Sequence, residues 1–448
     1  MLEPLYTASE MRAAEERHPG YPETVPELME RAGGAVAREI VRAFPAAGRI
    51  GLVCGKGSNG GDGRVAARIL RESGRDAVET DAPEGFDLVV DALFGTGFSG
   101  VPRPDAATLI ERINASDAPV VAVDLPSGVD ASTGEVASAA VRADLTVTFH
   151  APKVGLLVGP GCFHAGDVVV ADIGLEHVPT EHAVVTEDVL SQVPRRGARD
   201  TKYTAGTVLV VGGAPGLTGA VCLTALAAFR ADAGYVAVAV PPASLPVVEA
   251  HLLEAVKTTW ESLGDVLPRA NALAVGPGMG RTPEARQLVA RLLAEIEEPV
   301  VLDADALAGL EPGDWRPPVV MTPHAGELAR LLGVEASWVD AHRLEAVRRA
   351  ADRFGCVCLL KGADTLVAAP GEGVLVCPVT THGLATAGTG DVLTGIVAAF
   401  LAKGLAPRMA AAAAATAHAR AAAGVPHTSG MVASDVVQAL PAALSHTA

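Results

Sequence analysis

Positive charge, aromatic rings and cysteine pairs are all scarce in this 448-residue chain, and each scarcity excludes something. Lysine and arginine total 35 against 52 aspartates and glutamates, a formal net charge of −17. So anionic a chain has no electrostatic footprint for nucleic acid or for an anionic membrane surface. Aromatics are 4% of the residues, which fits a β-sandwich core poorly, whereas 48 glycines and abundant alanine suit close-packed α/β layers joined by glycine turns. The six cysteines (54, 162, 222, 356, 358, 377) form no CxxC pair and no His-flanked metal spacing. Buried free thiols in a reducing compartment are therefore expected, with Cys356 and Cys358 on one face of a strand. The apolar stretch 392–402 is too short to span a bilayer and stops at Lys403, with Pro407 just beyond. Glutamates at 3, 10, 15 and 16 leave the N-terminus without the apolar core of a secretory signal, and a cytoplasmic location is expected. Only six lysines occur (56, 153, 202, 257, 361, 403), and four of them fall in Gly- or Pro-rich segments. There a compact ammonium can do what a guanidinium cannot.

What is present is a rhythm of apolar runs and glycine loops. A length near 450 residues suggests two or three domains at roughly 150 each. A helical stretch over 26–44, with Leu28, Met29, Ala32 and Val36 at helical spacing, leads into a first series. Strands are expected at 49–54, 86–91, 119–124 and 145–150, with a Gly-rich loop at 55–63 and a helix over 65–73. Two of these runs end in aspartate, Asp91 and Asp124. In an open parallel sheet the strand carboxyl ends face the ligand crevice, which makes both functional candidates. The polar segment 193–200 breaks the rhythm, so domains of 1–195 and 196–448 are expected. A second series follows, with strands at 207–211, 235–240, 272–275, 300–303, 319–321 and 357–360. Its helices are expected over 220–231, 392–401 and, rich in alanine, 409–423. The fold class is α/β, two three-layer α/β/α domains.

In the first half, Gly55-Lys-Gly-Ser-Asn-Gly-Gly-Asp-Gly63 lies between a strand and a helix. Its glycines let backbone N–H groups approach a phosphate, although it is neither a P-loop nor GxGxxG, and a tight structural turn is an equal alternative. Asp91-Ala-Leu-Phe-Gly-Thr-Gly97, Asp124-Leu-Pro-Ser-Gly128, His150-Ala-Pro-Lys153 and Leu28-Met-Glu-Arg-Ala-Gly33 accompany it. In this order the motifs resemble the NAD(P)H-hydrate epimerase family over about residues 1–190. The resemblance implies a Rossmann-like domain that interconverts the R and S forms of nicotinamide cofactors hydrated at C6. It implies that Ser58, Asn59, Gly60, Gly61 and Asp62, with Gly95, Thr96, Gly97, Phe98, Ser99, Gly100 and Val101, bind the hydrate and its phosphates. Asp124 would lie near the modified ring, and Asn59, Asp91 and Ser127 would hold a potassium ion, for which amide, carboxylate and hydroxyl oxygens are suitably hard. Asp124 and Lys153 are the candidate acid–base pair. The competing readings are a turn cap for Asp124 and a surface ion pair for Lys153. Ser58 stands where many family members carry asparagine.

In the second half, Thr386-Ala-Gly-Thr-Gly-Asp-Val-Leu-Thr-Gly395 runs a glycine turn straight into an apolar helix. That arrangement aims N–H donors at a transferring phosphoryl group, and Asp391 could accept the proton of an attacking hydroxyl. An aspartate-capped helix is the bland alternative for an isolated GTGD. Companions weaken it: Gly276-Pro-Gly-Met-Gly280, Asp303-Ala-Asp-Ala-Leu307, Thr322-Pro-His-Ala-Gly-Glu327, Leu360-Lys-Gly-Ala-Asp-Thr365 and Lys202-Tyr-Thr-Ala-Gly206. The set resembles the ADP/ATP-dependent NAD(P)H-hydrate dehydratases, a branch of the ribokinase-like superfamily, over about 200–445. The resemblance implies that ADP phosphorylates the hydroxyl of the S hydrate, that phosphate is eliminated, and that NAD(P)H and AMP remain. Ala220, Gly278, His324 and Asp391 would contact the hydrate. Lys361, Gly362, Ala363, Asp364, Thr365 and Gly390 would hold the nucleotide, with the Lys361 backbone against it. Thr381 and Ala387 replace an asparagine and a glycine usual in the family. Mg2+ is expected because phosphoryl transfer needs charge neutralisation.

Together the halves are expected to form a bifunctional repair enzyme, since an epimerase makes both epimers available to an epimer-specific dehydratase. The rival is a ribokinase-like vitamin or sugar kinase joined to a non-catalytic binding module. Expected partners are small molecules and further copies of the chain, with no nucleic acid and no membrane.

Overall fold

Short runs rich in valine, leucine and alanine become strands buried on both faces, which requires helices above and below each sheet. In the computed structural model, which describes residues 2–379 and 381–445, the chain divides into two compact units. One comprises 4–183 with 340–344. The other comprises 184–339 and 345–448 with the first few residues. The division thus falls between Ala183 and Val184, upstream of the polar 193–200 segment where the sequence reading put it. That segment is not a free linker. Lys403 Nζ donates to the Pro194 carbonyl at 3.0 Å, and Arg196 pairs with Asp232 at 2.8 Å, so both its backbone and a polar side chain are tied to the second unit.

The first unit holds six parallel strands in the order Asp76–Glu79, Arg49–Cys54, Leu88–Ala92, Val120–Val123, Leu145–Phe149, Asp167–Ala171. Alternation along them sorts the core. Leu52, Val90 and Val147 join Val36, Ile40 and Leu70 on one face. Val53, Val89 and Val120 join Ile110 and Ile113 on the other. The order reverses at Arg49–Cys54, which opens a crevice beyond the carboxyl ends of that strand and Leu88–Ala92. The Gly-rich segment differs from expectation, because its helix already starts at Ser58 and runs to Glu72. Gly57 precedes it with no side-chain cap, which leaves helix-end N–H groups for an anion. Gly60 must lack a Cβ, since one would overlap the Gly55 carbonyl oxygen.

The second unit is built on an eleven-stranded sheet, nine of whose strands run in the order Leu375–Pro378, Asp364–Ala368, Val357–Leu360, Val319–Met321, Val300–Leu302, Ala272–Val275, Thr207–Val211, Tyr235–Val240, Val256–Thr259. Pairing among these nine is parallel except for the antiparallel pairs that flank Asp364–Ala368. The order reverses at Thr207–Val211, again opening a crevice at the carboxyl ends. Helix Thr389–Ala402 starts three residues before the expected 392, preceded by Gly388 with φ +89°. Helix Pro407–Ala423 is buried almost all round, as a helix apolar on every face must be, and packs against Thr389–Ala402 and Ala433–Ser445. Cys356 and Cys358 are buried free thiols, although the strand begins only at Val357. Among the described residues no helix is long and apolar enough to cross a membrane.

Thr389–Ala402 meets helix Thr218–Arg230 at Gly395, where a Cβ would overlap the Thr224 carbonyl oxygen. Gly395→Val is expected to force this crossing apart at a cost of about 1–3 kcal/mol, read as a lower urea midpoint for the second unit.

Candidate active sites

Asp124 follows strand Val120–Val123 and has φ +67°, a left-handed conformation uncommon for a residue with a side chain. The backbone is held there by its N–H, which donates to the Val147 carbonyl at 2.8 Å. This sends the carboxyl into the crevice, where three donors meet it. Lys153 Nζ lies 2.8 Å and Thr148 Oγ1 3.1 Å from Oδ1, and the Thr96 N–H donates to Oδ2 at 3.1 Å. Lys153 is wholly buried, and its ammonium also donates to Thr148 Oγ1 and the Phe149 carbonyl. A surface ion pair is thereby excluded for Lys153, and a simple turn cap for Asp124.

Asp91, the last charged residue of its strand, is fully buried. It accepts the Ser127 N–H at 2.7 Å, the Ser127 hydroxyl at 2.6 Å and the Leu93 N–H at 3.2 Å. Burial nevertheless pushes its pKa up to about 6. It has no cationic partner among the described residues. Asn59 is buried beside this crevice with Nδ2 unpartnered, and its Oδ1 and Asp124 Oδ2 both approach Gly95, where a Cβ would crowd them. Gly60, Gly61 and Asp62 lie on the same helix start, with Ser58 exposed. Thr96, Gly97 and Phe98 carry the loop onward, Phe98 stacking on Phe94 at 4.8 Å, while Ser99, Gly100 and Val101 are exposed. Burial, then the charge of Asp124, lifts the Asp62 pKa to about 8.

The second crevice has its own lysine–aspartate pair. Asp303 follows strand Val300–Leu302 and accepts Lys361 Nζ at 2.9 Å and the Thr394 hydroxyl at 2.7 Å. Glu327 stands 3.8 Å from the same ammonium. These carboxylates draw the Lys361 side chain inside, while its backbone N–H donates to the Pro323 carbonyl at 2.9 Å. Burial is the largest influence and pulls the lysine pKa down, but Asp303, Glu327 and Asp391 together hold it above the ordinary value. Gly390 completes the approach, since a Cβ there would lie 3.3 Å from Lys361 Nζ. Asp391, in the first turn of Thr389–Ala402, has no hydrogen-bond or ion-pair partner for its carboxyl among the described residues. Burial first, then Asp303, raises its pKa to about 7.

The remaining expected residues line the same crevice edge. Ala220 opens helix Thr218–Arg230, and Gly278 has φ +55° in the loop after Ala272–Val275. His324 caps helix Ala325–Leu332, its Nδ1 accepting the Gly326 N–H at 3.0 Å while Glu327 accepts the His324 N–H at 2.9 Å. Its Nε2 stands 3.5 Å from Glu327 Oε1. Gly362 and Ala363 form the exposed turn of a hairpin, with Asp364 and Thr365 buried behind it and Thr365 donating to the Gly362 carbonyl. Ala387 is exposed, and the positive φ of its turn falls on Gly388.

A family profile described as NAD(P)H-hydrate dehydratase matches residues 208–442, and one described as YjeF-related protein N-terminus matches 25–80 and 72–155. The bifunctional NAD(P)H-hydrate repair enzyme of Moorella thermoacetica is 40% identical over 86% of this chain and 85% of its own. That of Escherichia coli is 36% identical over 93% and 89%. The ADP/ATP-dependent NAD(P)H-hydrate dehydratase of Bacillus subtilis, crystallised with ATP and Mg2+, superposes with a TM-score of 0.54 at 30% identity, covering 59% of this chain and 98% of that one. The chain belongs to the bifunctional NAD(P)H-hydrate repair enzyme family.

Four polar residues of this family member received no role from sequence. Asp303 ends a strand as Asp91 and Asp124 do, a signal that could have been applied to the second half. Glu327 and Thr394 lay inside quoted motifs but gain meaning only from Asp303 and Lys361. Glu15, on helix Ala8–Glu16, had no motif at all. Burial, with Asp124 next, raises its pKa.

Lys153→Met would strand the Asp124 carboxyl without its cation, at an expected cost of about 3–5 kcal/mol to the first unit. The double variant with Asp124→Asn should recover part of that loss in chemical denaturation. Strict additivity of the two substitutions would contradict the pairing.

Proposed function

We infer that this chain repairs both epimers of hydrated NADH and NADPH, the first unit interconverting R and S forms and the second dehydrating the S form at the expense of ADP. The observation that carries the reading is that each unit gathers a lysine–aspartate pair at a crevice edge: Asp124 with Lys153 in one, and Lys361 with Asp303 beside Asp391 in the other. The family membership supports the same assignment and disfavours the small-molecule kinase alternative.

In the second site the hydrate's C6 hydroxyl attacks the β-phosphorus of ADP while Asp391 takes its proton. The N-terminus of Thr389–Ala402, open and uncapped, faces the charge that develops on the phosphoryl oxygens. AMP leaves, the C6–O bond then breaks with loss of a C5 proton, and phosphate and NAD(P)H are the products. Mg2+ fits as the nucleotide's counter-ion. Asp303 and Asp305 are engaged by Lys361, Thr394, Gly280 and Arg281, and the described residues hold no cluster of three His, Cys, Asp or Glu for a metal. Magnesium here would ride mainly on phosphate oxygens and neutralise their charge.

In the first site the phosphates of the hydrate meet the uncapped start of helix Ser58–Glu72 and the loop from Gly95, and Asp124 and Lys153 flank the ring. Potassium fits Asn59, Asp91 and Ser127. The buried, cation-free carboxylate of Asp91 and the unpartnered amide of Asn59, which can turn its oxygen inward, are what such an ion would satisfy. When bound it would compensate that charge and order the loops.

A racemic hydrate supplied with ADP and Mg2+, followed by NADH absorbance and released phosphate, tests both activities. Asp391→Asn should abolish phosphate release and leave epimerisation intact, and Asp124→Asn should do the reverse. Equal loss of both activities in either variant would contradict two separate sites. Because Asp391 acts deprotonated with a pKa near 7, dehydratase kcat/KM should fall as pH drops below about 7, and a profile flat down to pH 5 would remove Asp391 as the base.

A further inference from the structure

The two crevices share a pattern that no common motif announces. In each, a lysine is locked on one aspartate, Lys153 on Asp124 at 2.8 Å and Lys361 on Asp303 at 2.9 Å. In each, a second aspartate near the start of a glycine-preceded helix has no hydrogen-bond or ion-pair partner among the described residues. In the second unit this is Asp391, and in the first it is Asp62. A phosphate contact explains the Asp62 carboxyl badly. It shares its crevice with Asp124 and with Glu15, likewise without a hydrogen-bond or ion-pair partner among the described residues, and Lys153 is the cation that faces all three. Arg12 faces Glu15 as well. A substrate phosphate against this group of carboxyls would be repelled, whereas the backbone N–H groups of the same helix start suit it.

We propose that Asp62 is the proton donor of the first site, delivering its carboxyl proton to the departing C6 hydroxyl, and that Glu15 of helix Ala8–Glu16 keeps that proton on it. The assignment rests on the epimerase reading of this unit. Three carboxyls and one ammonium in a half-buried crevice cannot all ionise cheaply, and the proton settles on Asp62, since Asp124 has three donors and Glu15 faces Arg12 as well as Lys153. Asp124, which has three donors, is left as the acceptor. Neighbouring carboxyls in opposite protonation states are the arrangement that acid–base chemistry at neutral pH requires. The step balances. Asp62 gives its proton to the C6 oxygen, the C6–O bond breaks, water leaves, and the ring nitrogen lone pair forms the N1–C6 double bond. A water then adds to the other face of C6, its proton passes to Asp124, and exchange with solvent resets both carboxyls.

Glu15 is placed with care for a residue so near the N-terminus. Tyr6 brackets Lys153 with backbone bonds, its N–H donating to the Pro152 carbonyl and its carbonyl accepting the Val154 N–H, both at 3.0 Å. Thr7 and Glu10 form a capping box, and the Ala8 N–H donates to Ser132 Oγ at 3.0 Å. The segment lies before residue 25, where the family profile begins to match, yet it is built into the site.

The test compares the whole chain with its Asp62→Asn and Glu15→Gln variants on racemic hydrated NADH, where the second unit consumes S hydrate and reports how fast R hydrate is converted. Asp62→Asn should consume the S half at the wild-type rate, while its kcat for the R half drops by roughly 100- to 10,000-fold with KM little changed. Asp62→Glu should restore part of that rate, and an unchanged thermal midpoint for the first unit would exclude misfolding as the cause. Glu15→Gln removes a negative charge beside Asp62, so the alkaline limb of its epimerisation profile should move to lower pH. An Asp62→Asn variant that raises only KM, or a Glu15→Gln limb that stays in place, would overturn the proposal. A wild type that converts the S half alone would overturn the epimerase reading, and the proposal with it.

Discussion

A parallel strand delivers whatever residue follows it to one edge of the sheet, and in both units the reacting groups are gathered at that edge. Asp91 and Asp124 in the first unit and Asp303 in the second stand at the carboxyl ends of neighbouring strands, beside the position where strand order reverses. Their burial follows from this placement. Helices cover both faces of each sheet, so a carboxyl at the strand end is desolvated before any ligand arrives. A desolvated carboxyl needs a cation, a set of N–H and O–H donors, or a proton.

The two crevices use all three solutions, and the choice assigns the chemistry. Asp124 and Asp303 take an ammonium and hydroxyl donors. Asp91 takes three donors with no cation, which makes it the natural seat for a potassium ion. Asp62 and Asp391 have neither a cation paired to them nor donors among the described residues, and burial raises their hold on a proton, the first to a pKa of about 8 and the second to about 7. A scarcity of lysine fits this economy. Lys153 and Lys361 are compact point charges that each donate to one aspartate, where the bidentate fork of an arginine would claim more space and more partners.

Much of the architecture was legible because it depends on local patterns. Strands such as Thr207–Val211, Tyr235–Val240, Ala272–Val275 and Val357–Leu360 are short apolar runs bounded by glycine or charge, and their limits match the sequence reading. Helix starts were less legible. Ser58 and Thr389 begin helices inside segments whose glycines read as loop, because glycine's low helix propensity is overridden once its lack of a side chain lets the backbone pack against Gly55 or the Lys361 ammonium. The domain limit was displaced for a similar reason. Polar residues near 195 suggested solvent, but Lys403 and Asp232, distant in sequence, hold them.

By itself the sequence determined the two α/β units, the crevice loops, and the motifs that name Asp124, Lys153, Lys361 and Asp391, since these follow from periodicity and from residues adjacent in the chain. Only the tertiary structure decided what each charge faces. It turned the Lys361 side chain inward, joined Asp303 to Thr394, brought Glu15 toward Asp62, and left the Asp62 and Asp391 carboxyls without a hydrogen-bond or ion-pair partner among the described residues. The reason is that a carboxyl's proton affinity is set by burial and by charges a few ångströms away through space, and those neighbours come from elements far apart along the chain.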